Sequence, residues 1–133
     1  ESKIKVLICE DDHDDQYLFR SAILAGTDAV IIDFVRSSDQ LIDYLCRNVI
    51  AQTDKLPDLI VAGMRQPAFW IEGLKEFFLY RQFRHIPVHV FSMIDNPELR
   101  NAVLTAGACS FHRKPSSFQE LRICMKRIVD NIR

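Results

Sequence analysis

Short apolar runs alternate with longer stretches of helical spacing along this chain of 133 residues. The apolar runs are rich in aliphatic and β-branched residues, which predicts buried strands at 4–9, 30–35, 59–62, 88–91 and 110–112. Apolar positions that recur every three or four residues predict helices at 14–25, from 37, at 71–83, at 97–106 and from 117. This alternation predicts an α/β fold with a parallel sheet covered on both faces, and we assign residues 1–133 to a single domain.

Helix boundaries are marked by residues that favour the ends of helices. Asn96 followed by Pro97 predicts a helix start, because Asn caps helices and Pro suits the first helical position. Gly107 predicts the end of the same helix. Either Ser116 or Ser117 is expected to cap the last helix.

Composition and charge narrow the classes of function. Apolar residues make up 48% of the chain, and the formal net charge of −1 predicts no attraction to nucleic acid or to an anionic membrane. We expect no membrane span and no leader segment. The four cysteines form no close pair, which favours a reduced, cytoplasmic protein. Three histidines follow no metal-binding spacing and are expected to have structural roles: His85, His89 and His112.

Polar or unusual residues follow four of the five predicted strands. They are Glu10, Asp11 and Asp12 after the first strand, Gly63 at the third, Ser92 at the fourth and Lys114 at the fifth. The carboxyl ends of parallel strands lie at one edge of an open sheet, where such folds bind ligands. Adjacent carboxylates need a cation or open solvent, although a solvated turn that caps the first helix would also explain the acidic run.

Three segments together resemble the receiver domain of response regulators. They are the acidic run 10–12, the start of the third strand at Pro57-Asp58-Leu59, and residues 107–115, which match the family pattern G-A-x-x-[YF]-x-x-K-P. The resemblance extends from Lys5 to Ile132. It implies a flavodoxin-like, doubly wound sheet of five parallel strands in the order 2-1-3-4-5 with five helices. It also implies a role in two-component signal transduction.

The resemblance implies roles for the residues at the strand ends. Glu10 and Asp11 correspond to the acidic residues that help to bind Mg²⁺ in receivers, and Asp12 extends the acidic pocket. Ser92 and Lys114 correspond to the residues that contact the phosphoryl group. Without a phosphoryl group, Lys114 is expected to pair with Glu10 or Asp11 instead.

Two further features are implied near Lys114. Phe111 occupies the position of the aromatic switch residue, although a place in the core would suit this side chain equally well. The Lys114–Pro115 peptide bond is expected to be cis, as is typical of the family.

The main departure from the family is Gly63. Receivers carry an Asp there, six positions after Pro57, and that Asp accepts the phosphoryl group. A hydrogen atom cannot act as a nucleophile, and one metal ligand is lost together with the acceptor. The sequence therefore predicts a pseudo-receiver, a phosphorelay module that is neither an enzyme nor phosphorylated at the usual site. We expect no cofactor beyond weak Mg²⁺ binding at Glu10 and Asp11.

The function of such a module is expected to rest on protein interaction. The partner would be a histidine kinase or a downstream signalling protein, and the chain would be a monomer or a weak homodimer. Helix four, strand five and helix five form the first candidate surface. A loop at 68–71 is the second, with Phe69 and Trp70 as exposed anchors. Alternatively, one of these rings packs over the third helix or fills the space beside Gly63.

Two other functions remain open from the residues. In the first, the crevice binds a small anion or metabolite through Ser92 and Lys114. In the second, the chain is a conventional phosphorylated regulator that uses Asp11, Asp12 or Asp95 as its acceptor.

Overall fold

The computed structural model describes residues 3–51, 56–65 and 67–132. Its strands are β1 (Ile4–Cys9), β2 (Val30–Val35), β3 (Leu59–Met64), β4 (Val88–Ser92) and β5 (Ser110–Arg113). Its helices are α1 (His13–Leu24), α2 (Ser38–Ala51), α3 (Pro67–Leu79), α4 (Pro97–Ala106) and α5 (Phe118–Asp130). The strands are parallel and lie in the order β2-β1-β3-β4-β5, which confirms the expected fold.

The central strands are buried on both faces of the sheet. Successive side chains of a strand point to opposite faces, so alternate residues of β3 enter different layers of the core. Ile60 and Ala62 pack in a cluster with apolar residues of α2, α3 and α4. Leu59 and Val61 pack in the other cluster, with residues of α1 and α5. Burial on both faces explains why the sequence of β3 is continuously apolar.

The boundaries of α4 follow from local chemistry, as predicted. The side chain of Asn96 accepts a hydrogen bond from the Leu99 N–H at 2.8 Å, and Pro97 opens the helix. Gly107 ends it with φ of 127°, a conformation that side chains disfavour. A β-carbon at this position would also stand 2.8 Å from the Phe78 ring.

The predicted bounds of the third helix are wrong at both ends. We expected residues 71–83, whereas α3 spans Pro67–Leu79. Pro67 suits the first position of a helix, so the segment that was expected to be a loop is already helical. Phe83 is buried by a turn, because the N–H groups of Phe83 and Arg84 both donate to the Tyr80 carbonyl. Its apolar spacing therefore reflects burial without a helix.

The last helix is capped by the second of the two serines. The Ser117 hydroxyl oxygen accepts a hydrogen bond from the Glu120 N–H at 3.1 Å, and α5 begins at the next residue. This bond satisfies one of the free donors at the helix start. Of the two serines expected to cap this helix, Ser117 is therefore the one that does so.

Helix length bears on the question of membrane insertion. The longest described helix, α2, has 14 residues. At ~1.5 Å per residue it extends ~21 Å, which is short of the ~30 Å hydrocarbon core of a bilayer. Within the described ranges, no helix combines the length and the apolar character that crossing a bilayer requires.

Candidate functional site

The carboxyl edge of the sheet brings together a buried ion pair. Glu10 follows β1 and Lys114 follows β5, so the two residues come from strands that are not neighbours. The Lys114 Nζ lies 2.9 Å from the Glu10 Oε1. Glu10 is fully buried and the Lys114 side chain is only 11% exposed. Of the two expected partners of Lys114, the structure selects Glu10.

Gly63 is the residue that makes room for this ion pair. A β-carbon built on Gly63 would overlap the Glu10 Oε1 and would stand 2.9 Å from the Glu10 Cδ. It would also lie 3.5 Å from the Lys114 Cε. The Glu10 carboxylate therefore occupies the space that a side chain at position 63 would need. A carboxylate still faces Lys114 at this edge, but it comes from β1 and not from β3.

Asp15 is a second partner of Lys114 that sequence reasoning missed. Its Oδ2 lies 2.7 Å from the Lys114 Nζ, so the ammonium sits between two carboxylates. Asp15 belongs to the first turn of α1, whereas the residues predicted for the site all lie at the ends of strands. The available signal was the spacing from Asp12, because a helix that Asp12 caps has Asp15 in its first turn.

Burial and pairing act in opposite directions on these charges. Burial raises the pKa of Glu10 by more than the hydrogen bonds from Lys114 and Asp12 lower it. Burial alone would lower the pKa of Lys114, but its bonds to Asp15 and Glu10 outweigh that effect, and the net pKa is raised. The ammonium is thus held firmly in its charged form.

The three adjacent carboxylates do not share one pocket. Asp12 caps α1, and its Oδ2 accepts from the Asp15 N–H at 2.9 Å. Asp11 is exposed, with its Oδ1 3.9 Å from an Arg65 guanidinium nitrogen. Only Glu10 points into the buried site. The alternative of a capping turn therefore explains Asp12, while Glu10 is the one of these three carboxylates that pairs with Lys114.

This arrangement does not fit Mg²⁺ at Glu10 and Asp11. Mg²⁺ requires several free oxygen ligands in near-octahedral geometry. The Glu10 Oε1 is bound by Lys114, and its Oε2 accepts the Asp12 N–H at 3.1 Å. The Asp11 carboxylate is directed toward Arg65. Among residues 3–51, 56–65 and 67–132, no group of three or more His, Cys, Asp or Glu side chains is placed to hold a metal ion.

Ser92 and Phe111 both lie inside the protein. The Ser92 side chain is fully buried, and its hydroxyl oxygen accepts a hydrogen bond from the Ile94 N–H at 3.0 Å. Phe111 is 4% exposed and belongs to the core. The Arg100 guanidinium stands 5.0 Å from the centre of this ring and donates to the Phe111 carbonyl at 3.1 Å. Both side chains are therefore in positions that packing and turn geometry explain.

The known proteins to which this chain is similar are found among solved structures. No protein-family model matches the sequence, and no curated protein does so. The phosphorylated cyanobacterial phytochrome response regulator RcpA is similar with a TM-score of 0.84 at 22% identity, covering 97% of this chain and 93% of that chain. The Mn²⁺-bound response regulator Rcp1 is similar with a TM-score of 0.80 at 19% identity, covering 96% of this chain and 93% of that chain. A two-component response regulator from Legionella pneumophila is similar with a TM-score of 0.77 at 24% identity, covering 96% of this chain and 98% of that chain.

The chain has the receiver-domain fold. The similarity covers nearly the whole of this chain and of each of the three structures. It agrees with the strand order β2-β1-β3-β4-β5 described above. Because a fold hosts many functions, the activity must be argued from the residues at the carboxyl edge.

The segment 68–71 is helical in the receiver fold of this chain. This segment lies in α3, and Trp70 is 9% exposed and packs in the core. The expectation that Trp70 is an exposed anchor is therefore wrong, and the packed alternative is correct for this ring. Its apolar indole gains more from burial than an exposed position would allow. The side chain of Phe69 lies outside the described part of the structure.

The peptide bond before Pro115 also departs from expectation. No cis peptide bond occurs within the described ranges, so the Lys114–Pro115 bond is trans and the predicted cis form is wrong. The trans form is favoured by ~0.5–1 kcal/mol for bonds before proline. Lys114 reaches both of its carboxylate partners from this trans backbone.

Two of the three histidines form a hydrogen-bonded chain on the α5 side of the receiver fold. The Ser110 hydroxyl oxygen lies 2.6 Å from the His89 Nδ1 and 2.7 Å from the His112 Nε2. The Cys124 sulfur is 3.8 Å from the His112 Nδ1. Burial lowers the pKa of His89 to about 4 and lowers that of His112 as well. These contacts suit structural roles, and His85 is exposed before β4.

Proposed function

We propose that this chain is a receiver-like signalling module that is not phosphorylated at position 63 and acts by binding a protein partner. The observation that carries the proposal is the Glu10 carboxylate in the space of a side chain at position 63. The same carboxylate holds Lys114, which would otherwise pair with a phosphoryl group. An incoming phosphoryl group would meet neither an acceptor nor a free ammonium.

A module that is not phosphorylated needs another ligand to shift it between conformations. A phosphoryl group normally shifts a receiver between two states by adding charge beside the lysine. Here Glu10 and Asp15 already supply that charge from within the protein. A ligand shifts a conformational equilibrium only through its different affinities for the two states. The proposed bias therefore comes from a partner protein, of which a histidine kinase or a downstream signalling protein is the expected class.

Exposed apolar side chains favour the surface formed by α4, β5 and α5. Five large apolar residues are exposed on these elements and on the loop before α4: Met93, Ile94, Leu104, Phe118 and Ile123. Exposed apolar groups that face the same partner supply the core of a protein interface. This surface, the first candidate from the sequence, stays the leading candidate, since the 68–71 segment lies in α3.

The proposal is tested by intact mass after incubation with Mg²⁺ and a small phosphodonor. The natural chain is expected to gain no phosphoryl adduct. The matched positive control is the double variant Glu10→Asp with Gly63→Asp. The shorter carboxylate at position 10 makes room for the new side chain, since a β-carbon at position 63 overlaps the Glu10 carboxylate.

The outcomes separate the proposal from the conventional alternative. An adduct on the double variant with none on the natural chain would support a scaffold that lacks only its acceptor. A stoichiometric adduct on a natural carboxylate would overturn the proposal. The other suggested acceptors are engaged elsewhere: Asp12 caps α1, Asp95 pairs with Arg100, and Asp11 faces Arg65.

A further inference from the structure

A polar cavity of about 390 Å³ lies beside Gly63, on the side of α2 and α3. Its volume falls within the range of about 300–1,000 Å³ that is usual for small-molecule sites. Arg36, Ser37 and Ser38 line it from the start of α2, while Arg65 and Trp70 line it from the end of β3 and from α3. Five residues whose side chains can contact a phosphate group or a ring therefore already line one cavity.

Two guanidinium groups give this cavity a positive wall. Arg36 is oriented by a bond of 3.3 Å from its Nη2 to the Asp11 carbonyl oxygen. Arg65 has an exposed side chain whose Nη1 lies 3.9 Å from the Asp11 Oδ1, a distance that makes a weak ion pair. Asp11 is the one carboxylate in the lining among the described residues, so two positive charges face a single negative charge.

The start of α2 adds further donors to the same wall. Ser37 and Ser38 place two hydroxyl groups on the cavity at the N-terminus of a helix of 14 residues. The Ser37 hydroxyl oxygen already accepts from the Gln40 N–H at 3.2 Å, and its own O–H can still donate. The positive end of the helix dipole favours an anion at this point.

This cavity is separate from the buried ion pair. Its described lining includes Gly63 but neither Glu10 nor Lys114. The anion site suggested by the sequence would use Ser92 and Lys114, yet Ser92 is fully buried and Lys114 is held by two carboxylates. The donors in the cavity are the more accessible set.

We propose that the cavity binds a small phosphate monoester, with the phosphate between Arg36 and Arg65 and the attached ring against Trp70. A planar guanidinium group can donate two parallel hydrogen bonds to phosphate oxygens. Two such groups therefore make a strong phosphate site. The inference does not depend on whether any residue of the chain is phosphorylated.

The test uses Trp70 as its own reporter, because it is the only tryptophan of the chain. The intact protein is titrated with inorganic phosphate, ribose phosphate and adenosine monophosphate, while tryptophan fluorescence and the melting temperature are followed. Ribose, adenosine and sodium chloride at equal ionic strength serve as controls. The phosphate esters are expected to give a saturable fluorescence change and a melting temperature that rises with concentration.

Variants assign the effect to the cavity. Arg36→Gln and Arg65→Gln are each expected to raise the dissociation constant about tenfold or more. Arg47→Gln is the matched control, because Arg47 is an exposed α2 residue that pairs with Asp43 and not with the cavity. Asp11→Asn is expected to tighten binding, since it removes the opposing charge. A site that depended on a metal at Asp11 would instead be weakened.

Three results would overturn the proposal. The first is the absence of a saturable response in both fluorescence and melting temperature up to millimolar ester. The second is an equal response to sodium chloride, which would indicate a general salt effect. The third is binding that neither arginine variant weakens. A response to inorganic phosphate as strong as that to the esters would remove the part of the proposal that concerns Trp70.

Discussion

At the scale of single residues, Lys114 carries the electrostatic balance of the carboxyl edge. It neutralises a fully buried Glu10 and also contacts Asp15. Removing one member of a buried ion pair leaves the other charge without compensation. This destabilises the folded state more than replacing both members with apolar residues. The stability of this edge should therefore respond to Lys114 far more than to lysines on the surface.

Lys114→Met is expected to lower the free energy of unfolding by about 3–5 kcal/mol near neutral pH. Losing the cation raises the pKa of Glu10 further, and a raised folded-state pKa gives stability that is lost as pH rises through it. The loss should therefore shrink as pH falls from neutral into the acidic range and Glu10 becomes protonated. Urea unfolding across this pH range measures it.

The control for that experiment is Lys75→Met. Lys75 pairs with Glu72 at 3.5 Å, and both side chains are largely exposed, so we expect a change within about 0.5 kcal/mol at every pH. An equal loss of stability for Lys114→Met at both ends of the pH range would contradict the role given to Glu10.

Gly63→Ala is expected to destabilise the protein by about 1–3 kcal/mol, because the new methyl group must displace the Glu10 carboxylate from Lys114. The cost should fall markedly in a Glu10→Ala background, where the space is free. A double-mutant cycle by chemical denaturation measures this coupling. Additive effects of the two changes would show that the methyl group meets some other obstacle.

At the scale of elements, the sequence predicted the existence and the type of each strand and helix better than it predicted where each one begins and ends. All ten strands and helices were expected, because their apolar periodicity and their caps are local properties. The limits of α3 were not predicted, since Phe83 has helical spacing from Leu79 and Tyr80 but is buried by a turn. Asp15 was missed for a related reason. Its place in the first turn of α1 could be inferred from Asp12, but its contact with Lys114 joins residues 99 positions apart in the chain, which no local pattern records.

The strand pair β4–β5 gives a prediction about acid stability. The pKa of His89 is lowered to about 4, and a lowered folded-state pKa gives stability that is lost as pH falls through that range. The free energy of unfolding should decrease between pH ~6.5 and pH ~4, because the unfolded chain binds the proton more tightly. His89→Gln should flatten this part of the curve, whereas replacing the exposed His85 should not. An unchanged slope in His89→Gln would refute the assignment.

At the scale of the whole molecule, the fold is that of a receiver while its charged site is satisfied internally. The sequence was sufficient for the topology, because the alternation of strands and helices and the resemblance carried by 107–115 predicted the strand order that the structure has. It was not sufficient to show that Glu10 fills the space beside Gly63, since this depends on the separation of β1 and β3 side chains. Because the Glu10 carboxylate fills this space and pairs with Lys114, the site beside Gly63 is not left empty by the missing side chain.

The interaction surface is tested by site-specific cross-linking. A photoreactive residue in place of Leu104 or Ile123 is expected to capture the partner, because both side chains are exposed on α4 and α5. The same group in place of Tyr17, which is exposed on α1, is the matched control. Capture from position 17 alone would move the interface to α1.

The contact between Glu10 and Gly63 also bears on how this edge of the sheet responds to redesign. A side chain introduced at position 63 would collide with the Glu10 carboxylate where it now lies, so that carboxylate would have to turn away from Lys114. A change in β3 therefore also acts on the residues that follow β1 and β5, because it breaks the ion pair between them.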